Sequence, residues 1–139
     1  MTKASQTEPH YLYVLMRTDL ASMNPGKAVA HGAHAANQFD AAMKEVKDKG
    51  LLAGYDEWVK SASFFGTTIT LGVNAEQLTS HVAAVVREGS SVVAGEVFDP
   101  TYPLRDGEVT HFIPLTTCGF VFGPVSVLKP LLADLDLMR

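Results

Sequence analysis

The segment from Asn24 to Gln38 carries side chains whose types and spacing suit chemistry. Asn24-Pro25 is typical of a helix start, because an asparagine oxygen can accept from the first turn and proline needs no backbone donor there. On a helix that advances about 100° per residue, an ammonium, two imidazoles and an amide fall within about 60° of one another. They belong to Lys27, His31, His34 and Gln38. We therefore predict a helix with a polar stripe on one side.

Three interpretations of this stripe remain open. It can be the ordinary solvated face of an amphipathic helix, a catalytic or anion-binding site, or a histidine pair for a metal ion. The Lys27 ammonium disfavours a cation, and no cysteine or carboxylate cluster follows at ligand spacing, so we expect no metal. The opposite face is predicted to pack on a sheet through Val29, Gly32, Ala33, Ala36, Phe39 and Met43.

Composition limits the class of protein. The 139 residues are 47% hydrophobic and 19% charged, which predicts one globular domain. Residues 1–9 are polar and are predicted to be a disordered tail, with the domain spanning 10–139. No apolar run approaches the roughly 20 residues that cross a bilayer, so we expect no membrane partner. The lone Cys118 excludes an internal disulfide and fits a reducing, cytoplasmic location; its apolar neighbours favour a buried structural thiol over a nucleophile.

The net charge of −4 argues against broad, non-specific binding of nucleic acid. It leaves a local basic patch open, because the potential at a site depends on where the charges lie.

Strand-like and helical segments alternate along the chain, which predicts a mixed α/β sheet with helices on its faces. Predicted strands cover 11–17, 63–73, 91–98 and 115–122; predicted helices cover 25–48, 54–60 and 74–89 and a short segment after Gly123-Pro124; a turn is expected at 49–50 and a turn-rich loop at 100–111. Loops after strands build sites in such sheets, which can bring Asp99 to the start of the first helix. A carboxylate before proline is also a common turn former.

The motif Arg17-x-Asp19-Leu20, followed by Gly26-Lys27-x-x-Ala30-x-x-x-His34-Ala35, resembles the N-terminal signature of the type 2 peptidyl-tRNA hydrolases. Asp99 after the third strand, Gly123-Pro124 and the closing Leu135-Asp136-Leu137 extend the resemblance. It implies a single-domain α/β fold with a four-stranded mixed sheet flanked by helices. It also implies hydrolysis of the ester between a peptide, or an N-blocked amino acid, and the 3′-terminal ribose of tRNA. The expected partner is tRNA, no cofactor is required, and a homodimer is compatible with it.

The resemblance assigns catalytic roles to Lys27, His34, Asp99 and a last-strand threonine near 116–118, for which we take Thr117; His31 joins them from the stripe. An aspartate can orient or deprotonate water, a lysine can stabilise developing negative charge, an imidazole can carry the proton, and the threonine can position water or carbonyl. The expected tRNA contacts are Arg17, Asp19, Gln38 and Arg105, with Lys60 and Lys129 as further candidates for a basic rim. Arg17 can instead pair with Asp19 or Asp99, and Trp58 can stack on a base or anchor a helix.

Two positions depart from the family pattern. His31 stands where the family usually has glutamine, and the run from Asp99 to Pro103 replaces Ala-Gly-x-Thr after the aspartate. Two prolines remove backbone donors and stiffen the path. The alternative is therefore a non-hydrolytic binding or regulatory module on the same fold. For the hydrolase, we predict that Lys27, His31 and His34 line one accessible cleft that Asp99 borders.

Overall fold

Strands and helices alternate along residues 8–139, the part of the chain that this computed structural model describes. The strands are β1 (His10–Arg17), β2 (Thr68–Val73), β3 (Val93–Asp106) and β4 (Val109–Pro124). The helices are α1 (Pro25–Met43), α2 (Lys49–Lys60), α3 (Ala75–Val86) and α4 (Val125–Leu131). They form one small α/β domain.

The four-stranded sheet is mixed, in the order β2-β1-β4-β3. β1 pairs with β2 in parallel and with β4 antiparallel, and β3 pairs antiparallel with β4. Successive residues of β1 point to opposite faces, so Leu12 and Val14 pack under α1 and α2, while Tyr13 and Leu15 pack under α3 and α4. Burial on both faces explains why β1 reads as a continuous apolar run. The predicted mixed sheet with flanking helices is confirmed.

The helix bounds differ from the prediction at the end of α1. α1 ends at Met43 rather than near 48, and α2 begins at Lys49, where a turn was predicted. The Asp48 carboxylate accepts a hydrogen bond from the Leu51 backbone N–H at 2.8 Å. This cap begins a new helix one residue before the glycine that suggested a turn.

The strand predicted for 63–73 begins only at Thr68. Phe64 and Gly66 lie in the left-handed region, with φ of 68° and 70°, and the Gly66 N–H donates to Ser61 O at 3.3 Å. The segment before β2 is thus a compact turn, despite its aromatic residues. Trp58 anchors it, because the indole N–H donates to Thr67 O at 2.7 Å.

The largest difference lies between 98 and 115. The sequence predicts a turn-rich loop at 100–111, whereas β3 and β4 continue through it as a long hairpin that turns at Gly107. Register shifts fall between Val97 and Phe98 and between Asp99 and Tyr102. β3 tolerates Pro100 and Pro103 because it is the edge strand, which has no partner on its outer side within the described sheet.

At the N-terminal end, Glu8 and Pro9 hydrogen bond to the start of α4. Pro9 O accepts from the Val125 N–H at 2.9 Å, and a Glu8 carboxylate oxygen accepts from the Ser126 N–H at 3.1 Å. The rest of the predicted tail, 1–7, lies outside the described residues. Among the helices described here, none combines the length and the apolar character needed to cross a membrane.

Candidate functional site

α1 is rotated relative to the prediction. Its buried residues follow an i, i+4 line, namely His31, Ala35, Phe39 and Met43. Val29, predicted to face the sheet, is 74% exposed, whereas His31, predicted on the polar stripe, is 4% exposed. Ala33 and Ala36 are exposed too, and only Phe39 and Met43 of the predicted core face are buried. Helical spacing is compatible with either buried face of α1. The observed face is the one on which His31 meets polar groups of the sheet.

His31 bridges β3 and β4. Its Nδ1 lies 3.0 Å from the Oγ1 of Thr117 on β4, and its Nε2 lies 3.6 Å from Oδ2 of Asp99 on β3. The Cys118 thiol adds a long contact to the His31 carbonyl oxygen at 3.4 Å. The bulge in β3 near residue 99 re-aims its side chains at this point. Three residues far apart in sequence therefore form one buried polar cluster.

Burial lowers the pKa of His31 below its usual value, and the Lys27 and His34 charges lower it further, while Asp99 acts in the opposite direction. The imidazole is therefore neutral at neutral pH. A neutral imidazole has one donor and one acceptor nitrogen. Its partners assign the proton to Nε2, facing the Asp99 carboxylate, and leave Nδ1 to accept from the Thr117 hydroxyl.

The depressed pKa of His31 predicts a pH-dependent stability. The unfolded chain binds a proton at His31 near pH 6.5, and the folded chain does so only at lower pH. The contribution of His31 to the free energy of unfolding is thus complete above pH 6.5. It is lost as the pH falls through the pKa of His31 in the folded state. Denaturant midpoints measured from pH 8 to 5 should fall more for the wild type than for His31→Gln, which lacks the titrating ring. Equal slopes would contradict the prediction; the lowered pKa values of Asp19 and Asp134 act only at more acid pH.

Tyr102, which the sequence analysis did not select, joins Lys27 to the cluster. Its ring is fully buried, lies 5.7 Å from the His31 ring between centroids, and carries the Lys27 ammonium 4.7 Å from its centroid. Lys27 Nζ also donates to Pro103 O at 2.7 Å, and the Tyr102 hydroxyl lies 2.8 Å from Ser22 Oγ. The signal for Tyr102 in the sequence is an aromatic residue between two prolines, and the same prolines predict a loop.

Lys27 also opens onto a cavity of about 380 Å³ between the start of α1 and the β3–β4 hairpin. Its lining residues are Ser22, Asn24, Lys27, Pro103, Arg105 and Thr110. Lys27 and Arg105 therefore line the same cavity. Lys129 lies on α4, across the sheet, and Lys60 ends α2.

The other predicted tRNA contacts have internal partners. Arg17 holds the Asp19 carboxylate at 2.9 Å and Thr116 O at 3.1 Å. Asp19 also accepts from the Ala75 N–H at 3.2 Å, at the start of α3, and the Arg17 hydrogen bond lowers the Asp19 pKa. The Gln38 amide donates to Glu96 O at 2.8 Å, which ties α1 to β3. These three side chains support the scaffold around the cluster.

The other side chains considered for the site differ in how exposed they are. His34 is exposed, with its ring edge-on to His31 at 5.3 Å. Cys118 is fully buried, and burial raises the pKa of its thiol to about 11, so it is a structural residue. Trp58 packs edge-on against Phe39 and serves as a helix anchor. Within residues 8–139, no group of three or more metal-ligating side chains converges.

The structure therefore brings Lys27, His31, Asp99 and Thr117 together, with His34 at the rim. It does not place His31 in an open cleft, because His31 and Thr117 are buried beside Tyr102. Solvent reaches the cluster through Asp99, whose side chain is 18% exposed, and through Lys27. The groups with access to a ligand are a carboxylate, an ammonium and the exposed imidazole of His34.

No protein-family model matches the chain, and no curated protein matches it either. Its function is therefore inferred from the site.

Proposed function

We propose that the protein hydrolyses the ester that joins a peptide, or an N-blocked amino acid, to the 3′-terminal ribose of tRNA, on a type 2 peptidyl-tRNA hydrolase-like fold. The observation that carries the proposal is the approach of Asp99 on β3 to His31 on α1, at 3.6 Å, one helical turn from Lys27. In ester hydrolysis without a metal, a carboxylate can activate water, an imidazole can protonate the leaving oxygen and an ammonium can stabilise the oxyanion. The proposal makes tRNA the partner and the cytoplasm the place of action.

Asp99 is the general base in this mechanism. Its Oδ1 accepts from the Thr101 N–H at 2.8 Å, which orients the carboxylate, and its Oδ2 faces His31 Nε2 at 3.6 Å while the group keeps contact with solvent. A water molecule at this exposed edge can give its proton to the carboxylate as it attacks the ester carbonyl.

His31 and Thr117 position this base. The neutral imidazole directs Nε2–H toward Asp99 while its Nδ1 accepts from the Thr117 hydroxyl. The order carboxylate, imidazole, hydroxyl resembles a catalytic triad, in which a hydrogen-bond partner holds the imidazole in one tautomer. Because Thr117 is fully buried, it acts through His31 and does not touch the substrate.

Lys27 supplies charge stabilisation. Pro103 O and the Tyr102 ring hold its ammonium before any substrate arrives, so little reorganisation is needed when an oxyanion forms. The exposed His34 beside His31 can protonate the departing ribose oxygen.

The direct test is release of free tRNA from N-acetylaminoacyl-tRNA by the purified protein. The proposal expects turnover of the blocked substrate and much slower release from the same tRNA carrying an unblocked amino acid. No turnover above buffer alone, with intact folding by circular dichroism, would reject the hydrolase.

Lys27→Gln should lower turnover about 100-fold, because the amide keeps a donor for Pro103 O but has no charge for the oxyanion. Glutamine is preferable to alanine here, since the structure shows that Lys27 also fastens the hairpin. Lys44→Gln removes a positive charge just after the same helix, where the side chain is 75% exposed, and should leave turnover unchanged. Equal rates for wild type and Lys27→Gln would remove Lys27 from the mechanism.

One observation favours the non-hydrolytic alternative. His31 and Thr117 are almost completely buried and pair with each other at 3.0 Å, so these two members of the cluster form a structural contact that needs no substrate. A binding module would retain blocked aminoacyl-tRNA in a filter-binding assay and release no free tRNA from it.

A further inference from the structure

The cavity between α1 and the β3–β4 hairpin has an unusual charge balance for an acidic protein. Two of its six lining residues, Lys27 and Arg105, are cationic, and none is acidic. The whole chain carries a formal net charge of −4. The charged side chains that line this cavity are therefore opposite in sign to the net charge of the molecule, and such a local concentration of positive charge attracts an anion.

Neither cation is neutralised within the described residues. Lys27 is half-buried, and the partners of its ammonium are a carbonyl oxygen and an aromatic ring, which carry no formal charge. An ammonium has three donors, and Pro103 O uses one of them. Arg105 is exposed, and no carboxylate of residues 8–139 lies within ion-pair distance of it. Donors on both side chains remain available to a ligand.

The two cations lie on regular elements, Lys27 on α1 and Arg105 on β3. Lys27 is fastened by the Tyr102 ring, which is itself fixed by Ser22. Arg105 lies on β3 opposite Thr110 on β4, in regular antiparallel register. A guanidinium grips a phosphate through two parallel hydrogen bonds, and an ammonium adds a compact charge.

The volume of the cavity and its other lining residues indicate the class of ligand. The volume of about 380 Å³ exceeds what an inorganic anion fills and lies within the range of roughly 300–1,000 Å³ that small-molecule sites occupy. The side chains of Ser22, Asn24 and Thr110 offer polar groups, and Pro103 offers an apolar surface. Such a mixture suits a sugar and base attached to a phosphate.

We propose that this cavity binds a nucleoside phosphate, with Arg105 and Lys27 holding the phosphate group. The ligand is the terminal nucleotide of a tRNA or a free nucleotide; the tRNA source rests on the proposed function, and the site itself does not. The β3–β4 hairpin, which takes the place of the expected loop, supplies Arg105, and α1 supplies Lys27.

The test is an isothermal titration of the full-length protein with adenosine 5′-monophosphate, with adenosine and with inorganic phosphate. The monophosphate should bind at least tenfold more tightly than either of the other two, and its affinity should fall as salt rises, because ions screen exposed charges. Arg105→Gln should weaken it at least tenfold, while Lys129→Gln, which also removes one positive charge but on the other face of the sheet, should leave it unaltered. No binding of the monophosphate, or equal weakening by the two variants, overturns the proposal.

A trinucleotide ending in CCA separates the two sources. If the trinucleotide binds more tightly than the monophosphate, the ligand is an RNA end; if it binds more weakly, the ligand is a free nucleotide. Either result supports the site, provided that Arg105→Gln weakens the binding. Hydrolysis is scored separately. Nucleotide binding without turnover rejects the hydrolase and keeps this site, whereas turnover that is insensitive to Arg105→Gln, with no nucleotide binding, rejects this site alone.

Discussion

We expect Asp99→Asn to lower turnover of N-acetylaminoacyl-tRNA by about 10² to 10⁴-fold, the range in which a general base contributes. The amide oxygen can still accept from the Thr101 N–H, so the turn in β3 is preserved. What is lost is the basic oxygen that faces His31 and solvent. Single-turnover assays on the blocked substrate would measure the loss apart from product release.

The matched control is Asp106→Asn, because Asp106 lies on the same strand and its side chain is 84% exposed. It makes the same change of charge and is expected to keep wild-type turnover. Circular dichroism and thermal unfolding of both variants exclude misfolding as the cause. Wild-type turnover in Asp99→Asn would show that the base lies elsewhere.

We expect Tyr102→Ala to destabilise the domain by about 3–5 kcal/mol, the usual cost of removing a buried aromatic ring. Tyr102 is fully buried and contacts Lys27, His31 and Ser22, so the cavity left behind lies between α1 and the hairpin. Turnover should fall as well, because Lys27 and His31 lose the ring that holds them. Urea unfolding followed by tryptophan fluorescence gives the free energy of unfolding.

Two further variants test what the ring of Tyr102 contributes. One removes only the hydroxyl, and the other removes an exposed ring from the same hairpin. Tyr102→Phe keeps the ring and loses the contact with Ser22, so the cost should be about 1 kcal/mol. Phe112→Ala removes an aromatic ring from the facing strand where it is 65% exposed, and should change stability by less than about 0.5 kcal/mol. A Tyr102→Ala variant as stable as Phe112→Ala would mean that the hairpin does not depend on this ring.

Local signals in the sequence predicted the elements whose stability is local. Asn24 accepts from the Lys27 N–H at 2.9 Å, and Asn74 and Gln77 form a capping box at the start of α3. Each of these contacts spans three residues, so the chain encodes it without help from the rest of the molecule. The apolar run at 11–17 likewise predicted a strand, and the structure has that strand as β1, His10–Arg17.

The hairpin and the orientation of α1 were decided by tertiary contacts. Pro100 and Pro103 indicate a loop when they are read locally, because a proline cannot donate within a sheet. The sheet order puts β3 at the edge, where a missing donor costs little, and the pairing with β4 then extends to Asp106. The prolines outweighed Asp106-Gly107, a dipeptide that is typical of hairpin turns.

The candidate site shows the same division. Its reactive residue types were recognisable from the sequence, since a lysine and two histidines at helical spacing and an aspartate before proline are visible in one dimension. The spacing alone placed His31 on the solvated face, whereas the structure buries it against Thr117 and Asp99. Helical periodicity defines which residues share a face, but only the partners supplied by other strands determine which face is buried. Burial in turn lowers the pKa of His31 and keeps it neutral, and that property belongs to the tertiary structure.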